Sequence, residues 1–184
     1  MLKKTLLLLF LIGITVGLTT VFAKKEHREQ KLYDLLTQAT VDLEQAVKRV
    51  EVQMKSKVYK AQLERGGKRK HVFEVYALID QEVTVIIIDP RSGQIINATE
   101  EGIWEKLTER SLKKAAQVSK IPMSQAISIA QKACKGKASR ARLELSDGLV
   151  HYVIDVHGWD DRCEVLVDSE NGEFFKSPGK ERKH

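Results

Sequence analysis

Two segments of the chain carry apolar residues at helical spacing, and strand-like alternation follows each of them. An apolar stripe of this width predicts a helix that buries one face. The stripes consist of Ala46, Val47, Val50 and Met54 in the first segment and of Ala126, Ile127, Ala130 and Cys134 in the second.

Alternating apolar and polar residues predict three strands after each helix, with a reversal at Gly66-Gly67 or at Asp147-Gly148. We therefore predict an α+β fold of two α-β-β-β units, each a helix packed on a three-stranded antiparallel sheet. The positions predicted to face the helices are Ala61, Leu63, Phe73, Val75, Ala77, Thr84, Ile86 and Ile88 in the first unit, and Ala141, Leu143, Tyr152, Ile154, Val156, Cys163, Val165 and Val167 in the second.

Local signals define where these elements begin and end. Asp42 followed by Gln45 is the pattern of a capping box, with Val41 as its hydrophobic staple. In the second unit Pro122 stands at the helix start, where its missing N–H costs little. Each third strand ends in Asp-x-x-x-Gly, a turn in which Asp accepts from backbone N–H groups and Gly takes a positive φ.

The two units also repeat each other in sequence. Lys57-x-x-x-Ala61-x-Leu63-Glu64 returns 80 positions later as Lys137-x-x-x-Ala141-x-Leu143-Glu144. Asp89-x-x-x-Gly93 returns at an offset of 79 as Asp168-x-x-x-Gly172, so one residue is lost in between, at the first hairpin. Recurrence at a fixed spacing indicates a duplicated small domain.

This ordered set of features resembles the PepSY domain, over about residues 40–97 and 120–176. PepSY domains occur in the propeptides of thermolysin-type metallopeptidases and in many exported bacterial proteins. The resemblance implies a non-enzymatic protein that modulates or inhibits a secreted peptidase in trans. Pro122 and the basic first hairpin depart from the pattern.

The remaining segments flank or join the units. Residues 1–23 resemble a signal peptide with a basic start, an apolar run and a cleavage site after Val21-Phe22-Ala23, and an uncleaved membrane anchor is the alternative. Residues 24–39 are predicted to form an N-terminal helix and residues 99–119 a connector helix. The units are then residues 40–98 and 120–176, followed by a basic tail at 177–184. The chain is expected outside the cytoplasmic membrane, secreted or periplasmic.

The net charge and the sequence motifs limit the classes of function to be considered. Removing residues 1–23 lowers the net charge from +6 to +4, which does not favour a nucleic-acid partner. No hydrolase, zinc-peptidase or nucleotide-binding motif occurs, and we expect no enzyme activity, cofactor or metal. His157, Asp160 and Asp161 beside Cys163 are interpreted as a turn, as is the acidic loop at Asp168; Asn97-Ala98-Thr99 is a sequon that chance alone can explain.

Two surface features suggest a partner protein. Arg65, Lys68, Arg69 and Lys70 cluster in the first hairpin, either as a solvated turn or as a docking site for an acidic surface or anionic lipid. The outer face of the first sheet is apolar, and either a flanking helix or a partner must cover it. This face comprises Tyr76, Leu78, Val83, Val85 and Ile87, whereas Asp155, His157, Arg162, Glu164 and Leu166 make the second outer face ordinary solvent surface.

The two cysteines of this exported chain are predicted to form a disulfide. Cys134 ends the second helix, and Cys163 begins a strand that runs antiparallel to it, so the two side chains should meet. Two buried free thiols are the alternative. Two further functions stay open beside peptidase regulation: a scaffolding or protein-binding module of the cell envelope, and an extracytoplasmic sensor. The sequence does not identify the partner.

Overall fold

The computed structural model describes residues 30–66, 70–80, 82–100, 110–159 and 161–177. It confirms the α+β class. The helices are α1 (residues 30–38), α2 (Leu43–Gln53), α3 (Arg110–Val118) and α4 (Met123–Cys134). The strands are β1 (Lys57–Arg65), β2 (His71–Ile79), β3 (Glu82–Ile88), β4 (Ile95–Glu100), β5 (Lys137–Ser146), β6 (Leu149–His157), β7 (Arg162–Asp168) and β8 (Phe174–Ser177).

The prediction of three strands per unit is wrong, because α2 and α4 are each followed by four. The extra strands, β4 and β8, come after the two Asp-x-x-x-Gly turns. These turns form as predicted: Gly93 and Gly172 have φ of +67° and +79°, and their N–H groups donate to the carbonyls of Asp89 and Asp168. Every residue of β4 is exposed, so the strand carries no alternation of buried and exposed positions by which its sequence could be recognised.

All eight strands belong to one antiparallel sheet, in the order β4-β3-β2-β1-β5-β6-β7-β8. The predicted pair of separate sheets is therefore replaced by a continuous one. The joint lies between β1 and β5, where Ala61 pairs with Ala141, flanked by Lys60 opposite Arg142 and Gln62 opposite Arg140. Ala61 and Ala141 are fully buried, and their small side chains let the helices lie close over the joint.

The hydrophobic core lies between this sheet and the packed helices α2 and α4. The inner residues of both helical stripes are fully buried as predicted, while Met54 and Cys134 at their ends are half-buried. Most predicted inward strand positions are buried too, with Thr84 and Leu63 only half-buried. The core therefore follows the predicted faces of the two helices and of the strands beneath them.

The helix starts differ between α2 and α4. Asp42 caps α2 in a capping box with Gln45, as predicted. Pro122 is the N-cap of α4 and offers no side-chain acceptor. The Gln125 N–H donates to the Pro122 carbonyl, but the N–H groups before it must find acceptors elsewhere in the molecule.

The predicted connector helix needs correction. Thr99 and Glu100, assigned to its start, lie in β4, and α3 occupies only its last part. Ala115 and Ala116 of α3 are buried against the core, whereas Val118 is exposed. Helix α3 packs mainly against β1 and β5. The signal segment 1–23, most of the tail, and Trp104 and Leu107 of the connector lie outside the described residues.

In the N-terminal segment, α1 buries Leu36 and half-buries Leu32 and Leu35. Across the described residues no helix is both long enough and apolar enough to cross a membrane.

Candidate functional site

The interface between α2 and α4 holds the most developed polar network among the described residues. Glu51 of α2 accepts hydrogen bonds from the hydroxyl of Ser124 (2.5 Å) and, at 3.4 Å, from its backbone N–H. At the other end of the same helix pair, the Gln131 amide donates to Glu44 at 3.2 Å. These contacts show that the two helices run antiparallel, with the C-terminal end of α2 beside the N-terminal end of α4.

Two lysines extend this network. The Lys137 ammonium group lies 2.9 Å from the Asp42 carboxylate and so bonds the side chain that caps α2. The Lys57 ammonium group donates to the carbonyl of Ser119, just before α4, at 2.8 Å. Because each lysine opens a strand, the starts of β1 and β5 are tied to the loops that precede the opposite helix.

Burial changes the acidity of two groups here. Desolvation raises the pKa of the Glu51 carboxyl, and the hydrogen bonds from Ser124 only partly offset it. Burial likewise raises the pKa of Tyr152 to about 12. The Tyr152 hydroxyl therefore stays protonated at neutral pH and donates to the carbonyl of Ile121 at 2.9 Å. Sequence reasoning missed this network, although the absence of a capping side chain at Pro122 was a signal for it.

The predicted basic cluster is only partly described. Arg65 ends β1, Lys70 precedes β2, and both are exposed at the same end of the first hairpin. Lys68 and Arg69 lie outside the described residues. The structure thus places Arg65 and Lys70 at one end of the first hairpin, and the docking role of this hairpin stays a prediction.

The outer face of the first unit is partly buried, which agrees with the expectation that this apolar face needs a cover. On this face, Leu78 and Val83 are buried and Tyr76 is half-buried, with the Lys60 ammonium group 4.2 Å from the centre of the Tyr76 ring. A cover by the connector or the N-terminal helix stays a prediction, because α3 reaches mainly β1 and β5.

The second outer face is not ordinary solvent surface along β6. Asp155 and His157 are buried. Arg162 donates to Asp155 at 2.7 Å, and the His157 ring nitrogen Nε2 lies 2.8 Å from the Ser139 hydroxyl. The prediction failed because neighbouring strands β5 and β7 place polar side chains over β6, which a single strand's alternation cannot reveal.

The two cysteines come together as predicted. Cys134 and Cys163 lie at disulfide distance, with their Cα atoms 6.3 Å apart. The described residues contain no group of three His, Cys, Asp or Glu side chains that could hold a metal ion. At the acidic loop, the Asp168 carboxylate accepts from the N–H groups of Glu170 and Asn171, which is the predicted turn geometry.

The second unit of the chain matches a known protein family. Residues 120–177, which comprise α4 and β5 to β8, match the family model described as peptidase propeptide and YPEB domain, PepSY. Residues 120–177 are a PepSY domain. The PepSY match confirms the resemblance for this unit, and a second PepSY unit at residues 40–98 stays a prediction.

A crystal structure of a protein from Clostridium difficile 630, described as a candidate lipoprotein, is also similar to this chain. The two chains are 18% identical, the alignment covers 76% of this chain and 95% of the other, and the TM-score is 0.42. Comparison with curated proteins gives no match.

Proposed function

We propose that this chain is an exported, non-catalytic protein of two PepSY units that regulates a partner protein by binding it, with a secreted peptidase as the first class of partner to test. The observation that carries the proposal is the PepSY match at residues 120–177, because the family description names peptidase propeptides. Propeptides of this kind act on a peptidase by contact, so the proposal requires a binding surface and no catalytic group.

The contacts between α2 and α4 support a tandem pair. Glu44 and Ser124 are 80 positions apart, as are Glu51 and Gln131 (124−44 and 131−51). The sequence repeat therefore relates the hydrogen bond between Glu44 and Gln131 to the one between Ser124 and Glu51. At the joint of the sheet, Ala61 pairs with its own repeat partner, Ala141. Two copies of one unit related by a local twofold axis would produce this pattern.

The basic hairpin is the proposed contact surface for the partner. Arg65 and Lys70 are exposed at one end of the first hairpin, whereas the corresponding hairpin of the PepSY domain carries Asp147 and Gly148 at its turn. A cationic surface accelerates and orients association with an acidic partner. The two units would then have different roles, one contacting the partner and the other supporting the fold.

Inhibition of the host's secreted metallopeptidases by the purified exported form tests the peptidase role. We expect at least one enzyme to be slowed, and the double variant Arg65→Glu with Lys70→Glu to raise the inhibition constant about tenfold. The matched control is Lys48→Glu with Lys132→Glu, which makes the same charge change at exposed positions of α2 and α4. Absence of both inhibition and binding across the enzymes would remove the peptidase role.

A scaffolding module of the cell envelope is the second candidate. It is favoured by the two edges of the sheet, β4 and β8, which can pair with extended segments of other proteins. Cross-linking in intact cells followed by mass spectrometry separates the two candidates, because only the first requires a peptidase among the linked proteins.

Export itself is tested by the N-terminus of the protein from its host. Cleavage after Ala23 gives a chain that starts at Lys24. An intact mass that includes residues 1–23 in the membrane fraction would instead show an anchor.

A further inference from the structure

Among the described residues, no strand pairs with the outer side of β8. This strand stands last in the strand order and pairs with β7 along one side over four regular residue pairs. Its aromatic residues face solvent, with 55% of Phe174 and 65% of Phe175 exposed. An open edge presents N–H and C=O groups that can pair with another strand. β8 therefore has both the backbone groups and the apolar side chains that pairing with an additional strand requires.

The opposite edge is less suited to pairing. β4 pairs with β3 through an irregular register, in which Asn97 faces Ile87 and Ile95 faces Ile88, so Ile96 has no opposite residue. Such irregularities interrupt the ladder and protect an edge. The residues that follow, Asn97 and Thr99, are polar and bond each other through their side chains. An incoming strand is therefore expected at β8.

We propose that β8 is the docking site for a second copy of this chain, which pairs with it as an antiparallel strand about a twofold axis beside Phe175. The first argument is geometric. Phe174 and Lys176 lie opposite Val167 and Val165 on the face that α2 and α4 cover, and Phe175 lies opposite Leu166 on the other face. A twofold axis normal to the sheet keeps the helices of both copies on the same side. In such a dimer, two residues that stand opposite each other must have their side chains on the same face of the sheet. This condition excludes every register that would pair residues of opposite faces.

Side-chain chemistry selects one of the registers that remain. Centring the pair on Lys176 places two ammonium groups opposite each other, and centring it on Phe174 places Glu173 against Phe175 of the other copy. Centring it on Phe175 stacks the two Phe175 rings and places Lys176 of each copy against Phe174 of the other. Aromatic cross-strand pairs and cation–π contacts are both favourable. Of these three registers, only the last gives favourable contacts to the two phenylalanines and to Lys176.

Charge complementarity provides the second argument. The turn before β8 carries Asp168, Glu170 and Glu173, of which Glu170 also pairs with Lys120. The sequence after β8 carries Lys180, Arg182 and Lys183. In an antiparallel pair, the C-terminal end of each strand leaves beside the turn that precedes its partner. The sequence around β8 thus runs from acidic to basic, and this charge order complements itself when two copies of the strand pair antiparallel.

The proposed interface is small, since it rests on one short strand from each copy. Interfaces well below about 1,200 Å² are typical of weak or transient association. A dimer that forms at high local concentration and dissociates on dilution is therefore expected.

Site-directed cross-linking of the full chain tests both the surface and the register. A cysteine introduced as Phe175→Cys would face its own copy across the axis, where Cα separations of about 4.5–5.5 Å allow a disulfide. Mild oxidation should give a covalent dimer linked through position 175, at least tenfold faster than the control Val52→Cys, whose site on α2 is 69% exposed. Phe174→Cys and Lys176→Cys chains should cross-link faster when mixed than either does alone.

Sedimentation equilibrium provides a second readout. Phe175→Glu should weaken dimerisation at least tenfold, because two carboxylates would face each other at the axis. Val52→Glu is the matched control, since Val52 is 69% exposed on α2. Equal cross-linking at positions 175 and 52 together with a monomer at all concentrations would overturn the proposal. Fastest linkage between two Phe174→Cys chains would overturn the register.

Discussion

Glu51 provides the hydrogen-bond acceptor that Pro122 cannot, because its carboxylate accepts from the hydroxyl and backbone N–H of Ser124 in the first turn of α4. A helix begins with backbone N–H groups that have no partner inside the helix. In α4 one of these is satisfied by a residue 73 positions earlier in the chain. The N-terminal end of the PepSY domain is therefore completed by α2, which lies outside the matched residues.

Replacing Glu51 tests this cap. Glu51→Ala should be less stable than Glu51→Gln by about 1 kcal/mol, because glutamine keeps an acceptor for Ser124 whereas alanine leaves its polar groups unsatisfied. Urea unfolding followed by circular dichroism measures the difference, with Gln53→Ala as the control on the exposed side of the same helix. Equal stability of the two Glu51 variants would show that water replaces the side chain at position 51 as the hydrogen-bond acceptor for Ser124.

The raised pKa of Glu51 predicts a pH dependence. The folded state holds the Glu51 proton more tightly than the unfolded chain, whose reference pKa is 4.5. The contribution of this proton to stability is full below about pH 4.5 and is lost as the pH rises through the higher folded pKa. The free energy of unfolding of the wild type, minus that of Glu51→Gln, should therefore increase as the pH falls from 7 to 4. A difference that stays constant or decreases would contradict the direction of the pKa shift.

The disulfide is predicted from the placement of Cys134 and Cys163. Their Cα separation of 6.3 Å lies within the range that disulfides span, and the bridge would close a loop of 29 residues. Closure of such a loop stabilises a fold by about 3 kcal/mol. Thiol labelling of the denatured, unreduced protein should find no reactive thiol, and reduction should lower the melting temperature. Two labelled thiols per chain would mean that the cysteines remain free.

Burial of the first outer face is tested at Val83. An aspartate in place of this fully buried side chain should cost about 3 kcal/mol or more, because an unpaired carboxylate would lose its water. Val52→Asp is the control, as Val52 is exposed on α2. Thermal unfolding compares the two variants. A Val83→Asp protein as stable as the control would mean that this face opens readily to solvent and is available to a partner.

The sequence predicts well those features that depend on near neighbours. The buried stripe of α2, the capping box at Asp42 and the positive φ of Gly93 each follow from residues within one turn or one strand. β4 was missed because it buries none of its residues and so has no pattern to detect. Burial of Asp155 was missed because it depends on Arg162 from a neighbouring strand.

Features that depend on how distant segments meet were only partly predictable. The repeat implied two similar units, but nothing in the sequence of β1 or β5 states that these strands pair with each other. Two separate small sheets satisfy the same alternation of apolar residues. The cap of α4 was hidden for the same reason, since Glu51 resembles any polar residue on the surface of α2 until α4 is placed beside it.

The pairing of Ala61 with Ala141 has a consequence for the order of folding. Its partners are 80 residues apart, whereas the neighbouring pairings β1–β2 and β2–β3 join segments linked by short turns. Closing a long loop costs more entropy than closing a hairpin, and contacts between distant residues slow folding. The hairpins on either side are thus expected to form early, and the middle of the sheet last. During synthesis, β1 keeps an unpaired edge until β5 has been made. The strand that ends at the centre of the finished sheet is therefore the one most exposed to wrong pairing in the nascent chain.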